Sequence, residues 1–268
     1  MTRLVEKDIY ETGTQIRQYD EIFRRQTGHS MKEIAKIAVN LVNPVKKRKT
    51  AVIPVTCGLG VIKGFSDTVC AILKYCKADA YTTRNTDVAG MQEAYESKAD
   101  ILFMADDHVC GAFVPEKRIC ADNGYATGIG YAAALEQAME GGKGREILIL
   151  GAGTVGQSAA KYLSAKGGIP VICDLQEEKA AILAEQIKNA KSVKAPALIR
   201  DYSYILDAST TGSFITEKDV SGDTIIAAPG MPRGVTYEAC KIANVIHNPL
   251  ELGIITMYFQ CLKAWEEI

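Results

Sequence analysis

The sequence predicts an α/β protein of two domains, and three observations predict it. Short apolar runs alternate with helical runs along most of the chain, the pattern of a parallel sheet with crossover helices. A long helical run, Gly124 to Met139, separates an earlier block of this alternation from a later one. The later block opens with the apolar run Ile147 to Leu150, then glycines at 151, 153 and 156, then a helical run from Gln157 to Ala165. Glycines so spaced between a strand and a helix are the fingerprint of a Rossmann dinucleotide-binding unit. The expected plan is an N-terminal α/β substrate domain over residues 1–125. Residues 126–268 then carry the connecting helix, the Rossmann domain and a C-terminal helix.

Each element follows from its own residues. Val5 to Gln26 reads as a helix, with Ile9, Ile16, Tyr19, Ile22 and Phe23 at three- and four-residue spacing. Ser30 with Glu33 forms a capping box for a second helix that reaches Leu41 and stops before Pro44. Ala51–Thr56, Asp79–Thr83 and Asp100–Ala105 read as strands, with helices Ser66–Cys76 and Asp87–Ser97 between them. From Asp106 to Ala121 the sequence reads as irregular. Later strands are Ile169–Cys173, Ile205–Ala208, Thr224–Ala227 and Val245–His247, and Leu250–Ala264 reads as the terminal helix.

Composition narrows the function classes. Hydrophobic residues are 47% and charged residues 24% of the 268, a globular balance with room for two modest domains. A net charge of −1 gives no general field toward nucleic acid or an anionic membrane, and Lys46 to Lys49 reads as a solvated loop. No run approaches the length of a membrane span, and Met1 to Tyr10 mixes both charge signs unlike a signal peptide. A cytoplasmic protein is expected. Eight cysteines without a Cys-x-x-Cys pair, beside three histidines, argue against zinc and for reduced, buried thiols. Cys57 is the exception, because it follows a strand end beside Gly58 and Gly60. The long N-terminal helices suit packing between two copies, so a homodimer is one expectation.

The glycine loop assigns cofactor residues. Gly151 permits the tight turn, Gly153 lets backbone approach a pyrophosphate, and Gly156 lets helix and strand pack closely. Thr154 and Val155 open the helix, where free N–H groups hold phosphate. Asp174 ends the next strand about 20 residues on, where an acid meets the ribose 2′-hydroxyl. Leu175 and Gln176 follow it rather than arginine, so NAD is expected over NADP, although Lys179 is close in sequence. Ala208-Ser209-Thr210 and Pro229-Gly230-Met231 end later strands and border the ribose and nicotinamide.

In the first domain, strand ends offer Thr56-Cys57-Gly58, Asp106-Asp107 and Asp122-Asn123-Gly124. Adjacent aspartates point to opposite faces, and Asp106 is taken as the one facing the cleft between the domains. It is equally suited to capping a turn, as Asn123 is to capping a helix. His108 and His247 are the plausible imidazole bases. His247 falls near the nicotinamide end, but no neighbour in sequence orients either ring, which favours structural roles.

These residues resemble a known family. Ile53-Pro-Val-Thr56 with Gly58 and Gly60, Leu102-Phe-Met-Ala-Asp-Asp107, and Ala121-Asp-Asn123 with Thr127-Gly128 are its first pieces. The Gly151 loop, Ala228-Pro-Gly-Met-Pro232, and Pro249-Leu250 with Gly253 complete it. In order and spacing they are similar to the pyrrolysine synthase family, the last enzymes of pyrrolysine biosynthesis. The resemblance implies oxidation, by NAD, of the terminal amine carbon of L-lysine-Nε-(3R)-3-methyl-D-ornithine. Cyclisation to L-pyrrolysine follows, with loss of ammonia and water. It implies substrate contacts from Leu4, Thr56, Asp106 and Asn123, while Cys57 departs from the small hydroxyl residue expected after the threonine. Two alternatives stay open. One is a shikimate-type or methylene-tetrahydrofolate-type dehydrogenase of the same plan, although neither Lys63 nor Lys77 sits at the strand end such an enzyme uses. The other is a non-enzymatic NAD-sensing protein.

Overall fold

A computed structural model describes residues 12–195, 198–248 and 250–266. It divides into two compact units. The first holds residues 1–20, 31–126 and 249–268, and the second holds 21–30 and 127–248.

Among its described residues, the first unit is a five-stranded sheet with helices. In chain order its elements are α1 (Thr12–Thr27, whose last turns belong to the second unit), α2 (Met31–Ala38), β1 (Lys49–Ile53), α3 (Phe65–Tyr75) and β2 (Asp79–Thr82). There follow α4 (Asp87–Glu96), β3 (Ile101–Ala105), β4 (Cys110–Val114), β5 (Ile119–Asp122) and the start of α5 (Asn123–Ala138). The strand order is β2-β1-β3-β4-β5. Strands β2, β1 and β3 are parallel, as the alternation predicts. The segment read as irregular is an antiparallel hairpin, with Leu102 opposite Phe113 and Gly111 opposite Asp122. The first sheet is therefore mixed, not wholly parallel. The strands are short, and the turn between them contains Pro115 and ends at Arg118, which is left-handed (φ 54°), so no run of alternating residues announces them.

The terminal helix α8 (Glu251–Lys263) is a correction. The sequence places it with the Rossmann domain, whereas it packs on α2, α3, β4 and β5 of the first unit. Its residues Leu252, Ile254, Ile255, Thr256 and Met257 are fully buried, so the helix is apolar nearly all round. Such a helix needs cover on every side, and pattern alone does not say from which sheet.

The second unit continues α5 and adds β6 (Glu146–Leu150), α6 (Thr154–Ala165), β7 (Ile169–Cys173), α7 (Glu177–Glu185), β8 (Lys191–Val193), β9 (Tyr204–Asp207), β10 (Ile225–Ala227) and β11 (Asn244–Ile246). All six strands are parallel, in the order β11-β10-β9-β6-β7-β8. This is the doubly wound Rossmann order, which reverses between β6 and β9 and opens a ligand crevice at their carboxyl ends. Ile147, Leu148 and Ile149 are fully buried, as a central strand covered on both faces requires. Residues 21–30 join this unit because Gln26 Nε2 donates to Val245 O (2.7 Å) and Asn244 Nδ2 donates to Gln26 O (3.1 Å). The end of α1 is thus tied to β11, a pairing across more than 200 residues.

Candidate functional site

At the carboxyl end of β6 the three glycines meet three different demands. Gly151 has φ 99°, and a Cβ there would stand 2.9 Å from Ala208 O. A Cβ on Gly156 would fall 1.9 Å from Gly151 O, so only glycine lets α6 start against the turn. A Cβ on Gly153 would meet nothing within 4 Å. Its missing side chain faces open space, which is what close approach by a phosphate needs. Gly153 is also the N-cap of α6 and has no side chain to occupy the first-turn N–H groups, so Thr154 and Val155 present theirs with the helix dipole behind them. Asp174, half-buried past β7, accepts from Ala152 N (2.7 Å) and Gln176 N (2.8 Å). These bonds fix the carboxylate against the glycine loop, and its oxygens keep lone pairs for a ribose diol. The residues present thus fit a dinucleotide.

The loops after β9 and β10 meet beside it. Ala208 N donates to Leu150 O (2.8 Å), and a Cβ on Gly230 would lie 2.3 Å from Ser209 O. Ser209 is held by a residue the sequence reading missed. Asp207 is fully buried, and its Oδ1 accepts from Ser209 Oγ (2.6 Å) and Ser209 N (3.1 Å). The signal was a carboxylate closing the apolar strand Tyr204-Ile-Leu-Asp207. Burial pushes its carboxyl above the usual range, against the bonds from Ser209 and Gly234. Stability from the neutral form is complete below the unfolded value, about 3.9, and is lost as pH rises through the raised folded value. Asp207→Asn keeps the acceptor for Ser209 without the charge. Between pH 4 and 8 its Tm is expected to fall less than that of the unaltered protein. Parallel Tm curves by calorimetry would show that Asp207 titrates normally.

His247 closes β11. Its Nδ1 lies 2.7 Å from Ala228 O, and a carbonyl only accepts, so Nδ1 carries the hydrogen. Burial lowers its pKa first, the bond to Ala228 opposes that, and the positive charge of Arg233 adds to the lowering. The orienting partner that the sequence reading lacked is this backbone carbonyl, 19 residues earlier.

In the first unit, register places three sequence candidates off one edge of the sheet. Ile53 pairs with Met104, Ala105 with Cys110, and Gly111 with Asp122, so Thr56, Asp106 and Asn123 follow neighbouring strand ends. Thr56 is clamped by Asp87 at the start of α4: Thr56 N donates to Oδ1 (2.8 Å) and Oγ1 donates to Oδ2 (2.6 Å). Asp87, which the sequence reading used only as a helix start, is held below the usual carboxylate range by those bonds. Asp106 Oδ1 accepts from His108 N and Val109 N, both at 2.7 Å, and so caps the β3–β4 turn. The same two bonds, Val109 first, lower its pKa and keep it ionised.

Asp107, passed over in the sequence, reaches the Cys57–Gly60 loop. Its Oδ2 accepts from Leu59 N (2.7 Å) and lies 2.0 Å from where a Gly58 Cβ would stand. Asn123 is not the helix cap, because Asp122 Oδ1 takes the N–H of Tyr125 (2.8 Å). Its Nδ2 instead donates to Cys110 Sγ (3.6 Å), a thiol that burial pushes up to about 12 and keeps neutral. Cys57 and His108 are exposed. Leu4 lies outside the described residues. Among the described residues no group of three or more His, Cys, Asp or Glu is placed to hold a metal ion, and no helix is long and apolar enough to cross a membrane.

Residues 8–118 match the family model for the pyrrolysine biosynthesis protein PylD, N-terminal domain. Over 265 residues the chain is 29% identical to the pyrrolysine synthase of Methanosarcina acetivorans, covering 98% of this chain and 100% of that one. It is 28% identical to the pyrrolysine synthase of Methanosarcina barkeri, covering 98% of each. Among solved structures, quinate dehydrogenase from Corynebacterium glutamicum in complex with NAD superposes with a TM-score of 0.56 over 82% of this chain and 94% of that one. At 12% identity this likeness is one of fold alone. The chain is thus similar to the PylD N-terminal domain over residues 8–118 and to two pyrrolysine synthases over nearly all of its length.

Proposed function

We propose that the chain is an NAD-dependent dehydrogenase. Its small-molecule substrate is L-lysine-Nε-(3R)-3-methyl-D-ornithine, oxidised at the terminal amine carbon of the ornithine part, and its product is L-pyrrolysine. The observation that carries this reading is the glycine turn with Asp174 bonded to it, in a chain similar to pyrrolysine synthases over nearly all of its length. NAD would be held by Gly151, Gly153, Thr154, Val155, Gly156, Asp174, Ala208, Ser209 and Pro229, and when bound it accepts the hydride. Asp174 favours NAD, because its carboxylate repels a ribose 2′-phosphate.

The rest falls to this chain's residues. Asp106 stays ionised and spends one oxygen on its turn, which leaves the other to hold a substrate ammonium group. Thr56 gives its hydroxyl hydrogen to Asp87, so its oxygen faces a ligand as an acceptor. Asn123 offers a carboxamide to the amino-acid end, and the resemblance assigns Leu4 to closing over the substrate. Ring closure is intramolecular and gains from proximity alone. Atoms balance as loss of a hydride, a proton and ammonia. Any water released at ring closure is the one taken up if the imine is first hydrolysed.

The test is direct. The isopeptide with NAD should yield NADH and the pyrroline amino acid in equal amounts, and calorimetry should find NAD bound at least tenfold more tightly than NADP. Absence of NADH, or equal affinities, would count against the reading.

A further inference from the structure

We infer that His247 is the proton acceptor of the reaction, taking a proton from the substrate's terminal ammonium group through Nε2. The inference rests on the function proposed above and names a residue that it left unassigned.

Chemistry requires such a group. An ammonium nitrogen has no lone pair to push hydride from the adjoining carbon, so the amine must become neutral before the carbon is oxidised. In balanced form, R–CH2–NH3+ gives its proton to imidazole and becomes R–CH2–NH2. Hydride then passes from carbon to NAD, and R–CH=NH2+ remains.

Geometry points to His247. In a doubly wound sheet each half binds one mononucleotide. Asp174 and the glycine turn mark the half built on β6, β7 and β8, so the nicotinamide falls to the half built on β9, β10 and β11. His247 follows β11 directly, and its ring is bonded to Ala228, the residue before Pro229 and Gly230. A carbon that gives hydride to the nicotinamide must lie against that ring. Its attached nitrogen therefore comes within reach of the groups that border it.

The tautomer also fits. The carbonyl of Ala228 fixes hydrogen on Nδ1, so the lone pair is on Nε2 and the ring is oriented as a base. Burial and the guanidinium of Arg233 hold the imidazole neutral before substrate arrives. Asp207, which ends β9, is fully buried and turned to Ser209. His108, the other histidine raised by the sequence, lies in the β3–β4 turn of the first unit, remote in the chain from any Rossmann strand end.

His247→Asn separates this role from a structural one. The carboxamide can still donate to Ala228 O, but it has no basic nitrogen. The expected result is a fall in turnover of about 100-fold or more, with NAD affinity within about threefold of the unaltered protein. His247→Ala should regain part of the rate when imidazole is added. Turnover of His247→Asn within about threefold of normal, or NAD affinity lost in step with rate, would overturn the inference. If the unaltered protein makes no NADH from the isopeptide, the proposed function fails first, and the two failures are told apart.

Discussion

Gly156→Ala is expected to weaken NAD binding by about 100-fold and to lower Tm together. Its Cβ would stand 1.9 Å from Gly151 O, a backbone atom that no rotamer can move aside. Gly151 cannot retreat, because it sits at φ 99° and its own missing Cβ would be 2.9 Å from Ala208 O. The strain of such overpacking is about 1–3 kcal/mol, and it falls on the turn that must shape itself to a pyrophosphate. Gly153→Ala is the informative contrast. A methyl there meets nothing within 4 Å, so Tm should be unchanged while NAD affinity falls, because the methyl stands where a phosphate would approach. Titration calorimetry and thermal denaturation on both variants read this directly. Gly156→Ala with normal NAD affinity would mean that the dinucleotide does not lie on this turn.

Asp106→Asn is expected to raise KM for the isopeptide by about 10- to 100-fold, the range for losing a charged hydrogen-bond partner. NAD affinity should stay the same. The asparagine Oδ1 still accepts from His108 N and Val109 N, so the β3–β4 turn keeps its cap and only the charge is lost. Asp106→Ala removes both, and should also lower Tm. Steady-state kinetics on the asparagine variant thus separates a substrate contact from a turn cap, the two roles the sequence left open. An unchanged KM would assign Asp106 to the turn alone and direct attention to Asp107, whose carboxylate holds the Leu59 N–H.

What was legible in the sequence was whatever repeats locally. The glycine spacing and the apolar strands β6 and β7 are local patterns, and Asp174, 22 residues from the Ala152 N–H it accepts, stands at the fixed spacing of a Rossmann unit. The β4–β5 hairpin was not legible, because five- and four-residue strands interrupted by a proline turn carry too few positions to show a period. Interactions between distant residues were equally hidden. Asp107 meets Leu59 across 48 positions, Thr56 meets Asp87 across 31, and His247 meets Ala228 across 19. Thr56, Asp106 and Asn123 were chosen because they end strands, a local property. Asp207 was missed because it is still part of its strand.

The placement of α8 bears on how the protein is made. Synthesis runs from the N-terminus, yet α8 packs in the first unit, which lacks that packing partner until α8 emerges. Until then, the strands and helices that α8 covers leave apolar surface open to water or to other chains. The second unit, residues 21–30 and 127–248, includes nothing beyond Asn248, although most of it is translated later than the first unit's strands. A stop codon placed just after Asn248 would therefore harm the part of the protein farthest from it in sequence: an intact Rossmann sheet would be joined to an aggregation-prone first half.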